Sequence, residues 1–303
     1  MNEQTPAPAQ KVKAKQKKTG GSTWILLLMM ILGAAIMAYP TVSDWWNSFH
    51  ATQAIANYSR QVEETNTEQL DAMLEAARAY NRTLPEKENP FVMSEEEMAE
   101  YKSLLDLSGT GLMGYIQIPS LKINIPIYHT TEESVLQVAV GHVEWTSLPV
   151  GGESTHTVLS GHRGLPSAKL FTDLDKMKEG DRFTITVLNQ TVTYEVDQIR
   201  IVEPENIAEL SIVPGRDYCT LVTCTPYGIN THRLLIRGIR VENDAESVVL
   251  TPDAMMLPHY LTIPAVGIPL LFLVLLATLI ATRRKKPQLP ETAEDLFDDG
   301  FDR

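Results

Sequence analysis

One cysteine with an arginine nine residues beyond it is the pairing in this chain best suited to chemistry. Cys224 closes the run Thr220-Leu221-Val222-Thr223-Cys224, which is followed by Thr225-Pro226-Tyr227-Gly228 and then by Arg233. A proline there should end a strand, leaving a thiol at a strand terminus that opens onto a loop. Such a thiol is placed to attack a carbonyl rather than to pack. If the strand carrying Cys224 pairs as an antiparallel hairpin with the one carrying Arg233, the two residues lie roughly 5 Å apart across the ladder. Arginine cannot act as a base. It can hold the oxygen that turns negative during acyl transfer and favour the thiolate. Arg237 has the same strand parity and competes for that role.

Acyl transfer from a cysteine also needs a proton donor for the departing amine, usually histidine. Two histidines have suggestive neighbours: His142 after Gly141, and His162 within Ser160-Gly161-His162-Arg163-Gly164. The second follows a clean apolar strand and is bracketed by glycines, which leave room for a backbone to approach. The residues alone leave both open, with His162 the better placed. His232 adjoins Arg233, and its odd offset points it to the other face.

The chain has only two cysteines, Cys219 and Cys224. On one strand their Cα atoms would stand about 16 Å apart and their side chains on opposite faces. A disulfide needs Cα atoms within about 7 Å. Both thiols are therefore expected to be free, with Cys219 a small buried hydrophobe.

From Gly111 the texture is β-rich, in short runs separated by Gly, Pro and Asn. The expected strands are 112–118, 121–128, 157–160, 182–188, 191–199, 218–224 and 232–241, a spacing that suggests an all-β sandwich or barrel. Leu188-Asn189-Gln190-Thr191 reads as a tight hairpin turn, and Ser167 to Lys178 as a short helix over the barrel. Residues 42–85 read as helical, with strong helix formers between Thr67 and Arg82. A second short helix from Ser94 to Leu105 has an acidic first turn. No metal-ligand spacing and no phosphate-binding glycine loop occur.

Two uncharged apolar runs, Trp24 to Tyr39 and Leu261 to Ala281, have lengths near the roughly 20 residues of a membrane helix. Lys11, Lys13, Lys15, Lys17 and Lys18 precede the first, and Arg283-Arg284-Lys285-Lys286 follow the second. The positive-inside rule then puts both ends in the cytoplasm and the centre outside. For the first run the alternative is a cleaved signal peptide. The tail to Thr23 has a net charge of +4 and the tail from Arg283 a net of −1, so of the chain's −12 the region between carries −15. So acidic a region argues against nucleic acid or anionic headgroups as partners.

Leu159-Ser160-Gly161-His162-Arg163-Gly164-Leu165-Pro166, Thr220 to Tyr227 and Asn230-Thr231-His232-Arg233 resemble the corresponding stretches of class C, pilin-polymerising sortases, as do Gly114 to Pro119 and Pro126 to His129. The resemblance covers about Ser108 to Val241. It implies a closed eight-stranded β-barrel with His162, Cys224 and Arg233 catalytic, N-terminal extracytoplasmic helices, a lid, and a transmembrane helix at each end. The implied organisation is a basic tail (1–23), a first membrane helix (24–40), a helical region (41–107) with a lid at 86–94, the catalytic barrel (108–245), a linker (246–260), a second membrane helix (261–282) and a tail (283–303). Cys224 would cleave the Thr–Gly bond of a Leu-Pro-x-Thr-Gly-like sorting signal on a pilin or surface protein. The thioacyl group would pass to a pilin lysine, with no metal or organic cofactor. A cell-wall amine as acceptor, in a sortase that anchors proteins to peptidoglycan, is the alternative. A non-catalytic, membrane-tethered β-barrel binding module is the other. The lid would be Asn89-Pro90-Phe91, where class C enzymes have Asp-Pro-aromatic. Asn89 lacks the charge to pair with Arg233, so the latch should be weaker.

Overall fold

The structure, a computed structural model, describes residues 20–87, 89, 91–243 and 272. The expected second membrane helix, the linker and both tails lie outside these residues, apart from Phe272 and the first helix's opening turn.

Eight strands close into a barrel in the order β1-β2-β3-β4-β7-β8-β6-β5. They are β1 (Leu112–Ile118), β2 (Ile123–His129), β3 (Val140–His142), β4 (Thr155–Ser160), β5 (Arg182–Val187), β6 (Gln190–Val202), β7 (Asp217–Thr225) and β8 (His232–Val241). β2–β3 and β4–β7 pair in parallel and the other neighbours antiparallel. Alternation drives the closure. Ile116, Ile118, Ile127, Leu159, Phe183, Ile185, Leu221 and Ile236 are fully buried inside, each such side chain contributing about 1.5–3 kcal/mol.

Four helices accompany the barrel: α1 (Gly20–Glu64), α2 (Thr67–Thr83), α3 (Glu95–Ser103) and the one-turn α4 (Glu133–Leu136). The break between α1 and α2 is set by Asn66, whose side chain caps α2 by accepting from the Glu68 amide. Ser94 and Glu97 form a reciprocal capping box at α3. α2 buries Leu70, Leu74, Ala77 and Asn81, a helical stripe. Asn81 replaces a missing backbone partner for Leu148, donating from Nδ2 to its carbonyl (3.0 Å) and accepting from its amide (2.8 Å).

α1 is a single helix that continues past residue 40 without a break. It runs through Pro40 and down the side of the barrel. Its upper part binds the loop after β4: the Asp44 carboxylate accepts from the Lys169 amide (2.7 Å) and Asn47 Nδ2 donates to the Ser167 carbonyl (2.8 Å). Fourteen residues on, Tyr58 reaches the other end of the barrel. Its hydroxyl donates to the Met113 carbonyl and accepts from the Leu188 amide, both at 2.7 Å.

Two local expectations are corrected, and one strand has no sequence expectation. Ser167 to Lys178 forms turns with one 3-10 turn at Leu174–Lys176 in place of a helix. Asp44 takes the Lys169 amide there, Leu170 adopts a positive φ, and Asp173 gathers Lys169 and Lys176. The β5–β6 turn is centred on Leu188-Asn189, since Val187 pairs with Gln190. Tyr58 fixes that register by holding the Leu188 amide. β3, three residues long, falls below the length at which alternation is legible.

Candidate active site

Two registers bring the candidate residues together at one rim of the barrel. In the antiparallel β7–β8 pair, Cys224 lies directly opposite Arg233. In the parallel β4–β7 pair, partners differ by 62 positions, from Thr155 with Asp217 to Ser160 with Val222. Side-chain and backbone bonds continue that offset past the strand ends. The Gly161 amide donates to the Val222 carbonyl (3.0 Å), Thr223 Oγ1 to the Gly161 carbonyl (2.7 Å) and Arg163 Nη1 to Thr225 Oγ1 (3.2 Å). His162 thus lies level with Cys224 on one side, as Arg233 does on the other.

β7 alternates as a strand between core and outer face should. Cys219, Leu221 and Thr223 are buried toward the interior, while Val222 and Cys224 are half-buried on the outer face. Both cysteines are free. Burial pushes the Cys219 thiol far up, so it stays protonated and unreactive.

The histidine loop is fitted closely. A Cβ on Gly161 would stand 2.7 Å from the Phe171 ring, and Gly164 has φ +77° with the Tyr227 ring beneath it. The Phe171 amide donates to the His162 carbonyl (3.1 Å). His162 Nε2 is buried without a hydrogen-bond partner, and the Glu133 carboxylate stands 3.6 Å away. Arg163 pairs with Asp175 and lies against the Tyr227 ring, tying the histidine loop to the β7–β8 turn. Arg233 Nη1 donates to the carbonyls of His232 (3.2 Å) and Asn230 (3.4 Å). Among the described residues no carboxylate salt-bridges it.

The competing residues are committed elsewhere. Arg237 makes two bonds to the Asp197 carboxylate (3.0 and 2.8 Å) and lies 4.3 Å over the Tyr218 ring. His142 is fully buried. Its Nε2 donates to the Ser147 carbonyl (2.8 Å) and its Nδ1 accepts from the Tyr101 hydroxyl (3.0 Å). Burial lowers its pKa to about 3. His232 binds Thr231 through Nδ1.

Of the expected lid, Pro90 lies outside the described residues and Asn89 is exposed. Phe91 stands edge-on to the Trp145 ring with centroids 5.0 Å apart. Sequence reasoning missed Glu133, which is 29 positions from His162 and carries no local signal. It also missed His156, buried between the Ser211 carbonyl and Thr220 Oγ1, where it pins the β6–β7 segment over the sheet.

Comparisons with known proteins identify the family. Residues 116–241 match the Sortase domain family. The crystal structure of sortase C1 from Streptococcus agalactiae is 51% identical with a TM-score of 0.61, covering 63% of this chain and 100% of that one. The Streptococcus pneumoniae sortase C structure, described as giving insight into catalysis and pilin substrate specificity, is 43% identical with a TM-score of 0.58, covering 63% and 97%. Among curated proteins, sortase A of Streptococcus agalactiae is 32% identical over 117 residues, 38% of this chain, and the match spans about half (47%) of that relative's length. The chain belongs to the sortase family of cysteine transpeptidases, and within it to class C.

Proposed function

We propose that this protein is a membrane-anchored transpeptidase that cleaves the Thr–Gly bond of a Leu-Pro-x-Thr-Gly-like sorting signal and passes the acyl group to a pilin lysine. The observation that carries this reading is the double register that sets Cys224 between His162 and Arg233. The Cys224 thiolate adds to the threonine carbonyl, and the oxygen that gains charge is held by the Arg233 guanidinium. His162 gives its proton to the departing glycine amine as the C–N bond breaks, leaving a thioester on Cys224. An incoming lysine amine then gives a proton to His162 and attacks the thioester, restoring the thiolate. Pilin as substrate is supported by the likeness to the Streptococcus pneumoniae enzyme.

The apolar N-terminal part of α1 is the anchor. It is the one helix among the described residues long and apolar enough to cross a membrane, and none of that stretch is buried. A second anchor at 261–282, with both termini cytoplasmic, completes this reading. Segment 86–94 serves as a lid. Phe91 held on Trp145 and the uncharged Asn89 fit a loose one. Its removal by Phe91→Ala should speed alkylation of Cys224, and an unchanged alkylation rate would remove the lid from the scheme.

The test is intact mass of the Phe91→Ala protein after incubation with a Leu-Pro-x-Thr-Gly peptide, beside the same protein with Cys224→Ala. An adduct of the peptide's N-terminal fragment, missing in the Cys224 variant, is the expected result. No adduct with a panel of such peptides overturns the cleavage step. Offering a pilin-derived lysine peptide or a peptidoglycan-derived amine to the acyl-enzyme then separates the two acceptors.

A further inference from the structure

We infer that the catalytic rim of the barrel faces the lipid bilayer, with the β7–β8 turn at the headgroup level, so that the enzyme works on segments presented at the membrane surface. This rests on the reading of the first apolar run as an uncleaved membrane helix. The course of α1 sets the direction. A stretch of 20 residues from Trp24 to Ser43 spans the roughly 30 Å of hydrocarbon at 1.5 Å per residue, and Asp44 is the first charge after it. Asp44 and Asn47 are also the residues bonded to the loop behind His162, through Lys169 and Ser167. From there the helix runs away from the catalytic rim and reaches Met113 and the Leu188 turn at the opposite end through Tyr58. The fourteen residues between cover about 21 Å. The membrane therefore lies beyond the catalytic rim, and the α2 end of the barrel points away from it.

The surface chemistry agrees. In the barrel, from Leu112 to Val241, the described large apolar side chains more than 60% exposed are Ile201 (63%), Tyr227 (61%) and Ile229 (68%). All three are at the catalytic rim: Ile201 pairs with Leu234 at the end of β6, and the other two are in the β7–β8 turn. On α1, just beyond the hydrocarbon span, Trp45 (41%) and Trp46 (56%) are turned outward. Aromatic rings at that depth suit the membrane interface. The loop between them is locally balanced rather than acidic. Lys169 and Lys176 neutralise Asp173, and Arg163 neutralises Asp175. The rim also exposes Glu133 and Glu203, but its exposed apolar side chains gather at the end from which the apolar helix enters the membrane. The occupant is thus lipid, continuous with the helix that enters it.

The experiment uses the full chain in phosphatidylcholine vesicles with a Cys224→Ala background, which leaves only the buried Cys219. A fluorophore is attached at Ile229→Cys, or at Glu153→Cys on the far end, and quenched by headgroup-spin-labelled lipid. The expected result is strong quenching at 229, at least several-fold above that at 153. Because it reads position and not turnover, it stands or falls apart from the transpeptidase assay. Equal quenching, or stronger quenching at 153, overturns the orientation. Quenching at neither position also overturns it, and leaves Ile201, Tyr227 and Ile229 as a surface for a protein partner. Adding Asp44→Ala and Asn47→Ala, which release the loop from α1, should reduce the quenching at 229; unchanged quenching would show that this joint does not set the orientation.

Discussion

The wall of the barrel and its rim hold the same residue types with opposite fates. Cys219 and His142 sit in the wall, fully buried, with the thiol held protonated and both imidazole nitrogens committed. Cys224 and His162 sit where β7 and β4 end, half-exposed, and the His162 Nε2 has no hydrogen bond. Five residues separate the two cysteines and twenty the two histidines. Strand parity and distance from the strand end, not residue type, decide which of each pair is accessible at the rim.

Exchanging the pairs tests this most sharply. Cys224→Ala should lower acyl transfer by about 10⁴-fold or more, since the covalent step has no substitute. Cys219→Ala should leave turnover within about twofold and cost on the order of 1 kcal/mol in unfolding free energy from the cavity. Peptide turnover and urea unfolding on the same samples read both. Equal losses of activity would end the distinction. Arg233→Ala comes next. Removing one donor to a developing oxyanion costs about 10²–10³-fold in kcat, whereas Arg237→Ala should spare kcat because that guanidinium is spent on Asp197. A larger kcat loss for Arg237 would reverse the assignment.

Acid tests the burial of His142 through stability. The folded pKa of His142 is depressed to about 3 by burial, while the unfolded chain takes up its proton near 6.5. The stabilisation is therefore complete above pH 6.5 and is lost as pH falls toward 3, at about 1.4 kcal/mol per pH unit. By pH 5 that is about 2 kcal/mol from His142, and His156, also lowered by burial, adds in the same direction. Urea unfolding of the Cys224→Ala protein between pH 7.5 and 5 should show this slope, and His142→Gln should flatten it. A slope unaffected by that change would mean the buried imidazole is not the titrating group.

Much of the rim was legible in the sequence because it depends on local rules. The proline after Cys224, the nine-residue step to Arg233 and strand parity were enough to pair those two and to exclude a disulfide. The family resemblance supplied the eight-strand closure and the preference for His162 over His142. What single-sequence reasoning could not reach was long-range. β3 is too short to alternate visibly. The helix expected at 167–178 loses to Asp44, 125 positions from the Lys169 amide it captures. The β5–β6 turn takes its register from Tyr58, 130 positions from Leu188. Each is a tertiary contact overriding a local propensity.

Glu133 gives the smallest expected effect and the finest test of the rim. Its carboxylate stands 3.6 Å from His162 Nε2, which is buried without a hydrogen bond. Being 70% exposed at the start of α4, it is screened by solvent, and such a pair is worth at most about 1 kcal/mol. Glu133→Gln keeps the shape and removes the charge. If the carboxylate steadies the ring that serves the leaving amine, kcat should fall by about two- to fivefold with KM for the peptide unchanged. The deficit should shrink at high salt, where an exposed pair is screened. A loss confined to KM would instead place Glu133 in substrate binding, and no change at low salt would leave His162 oriented by its loop alone, through Phe171 and Arg163.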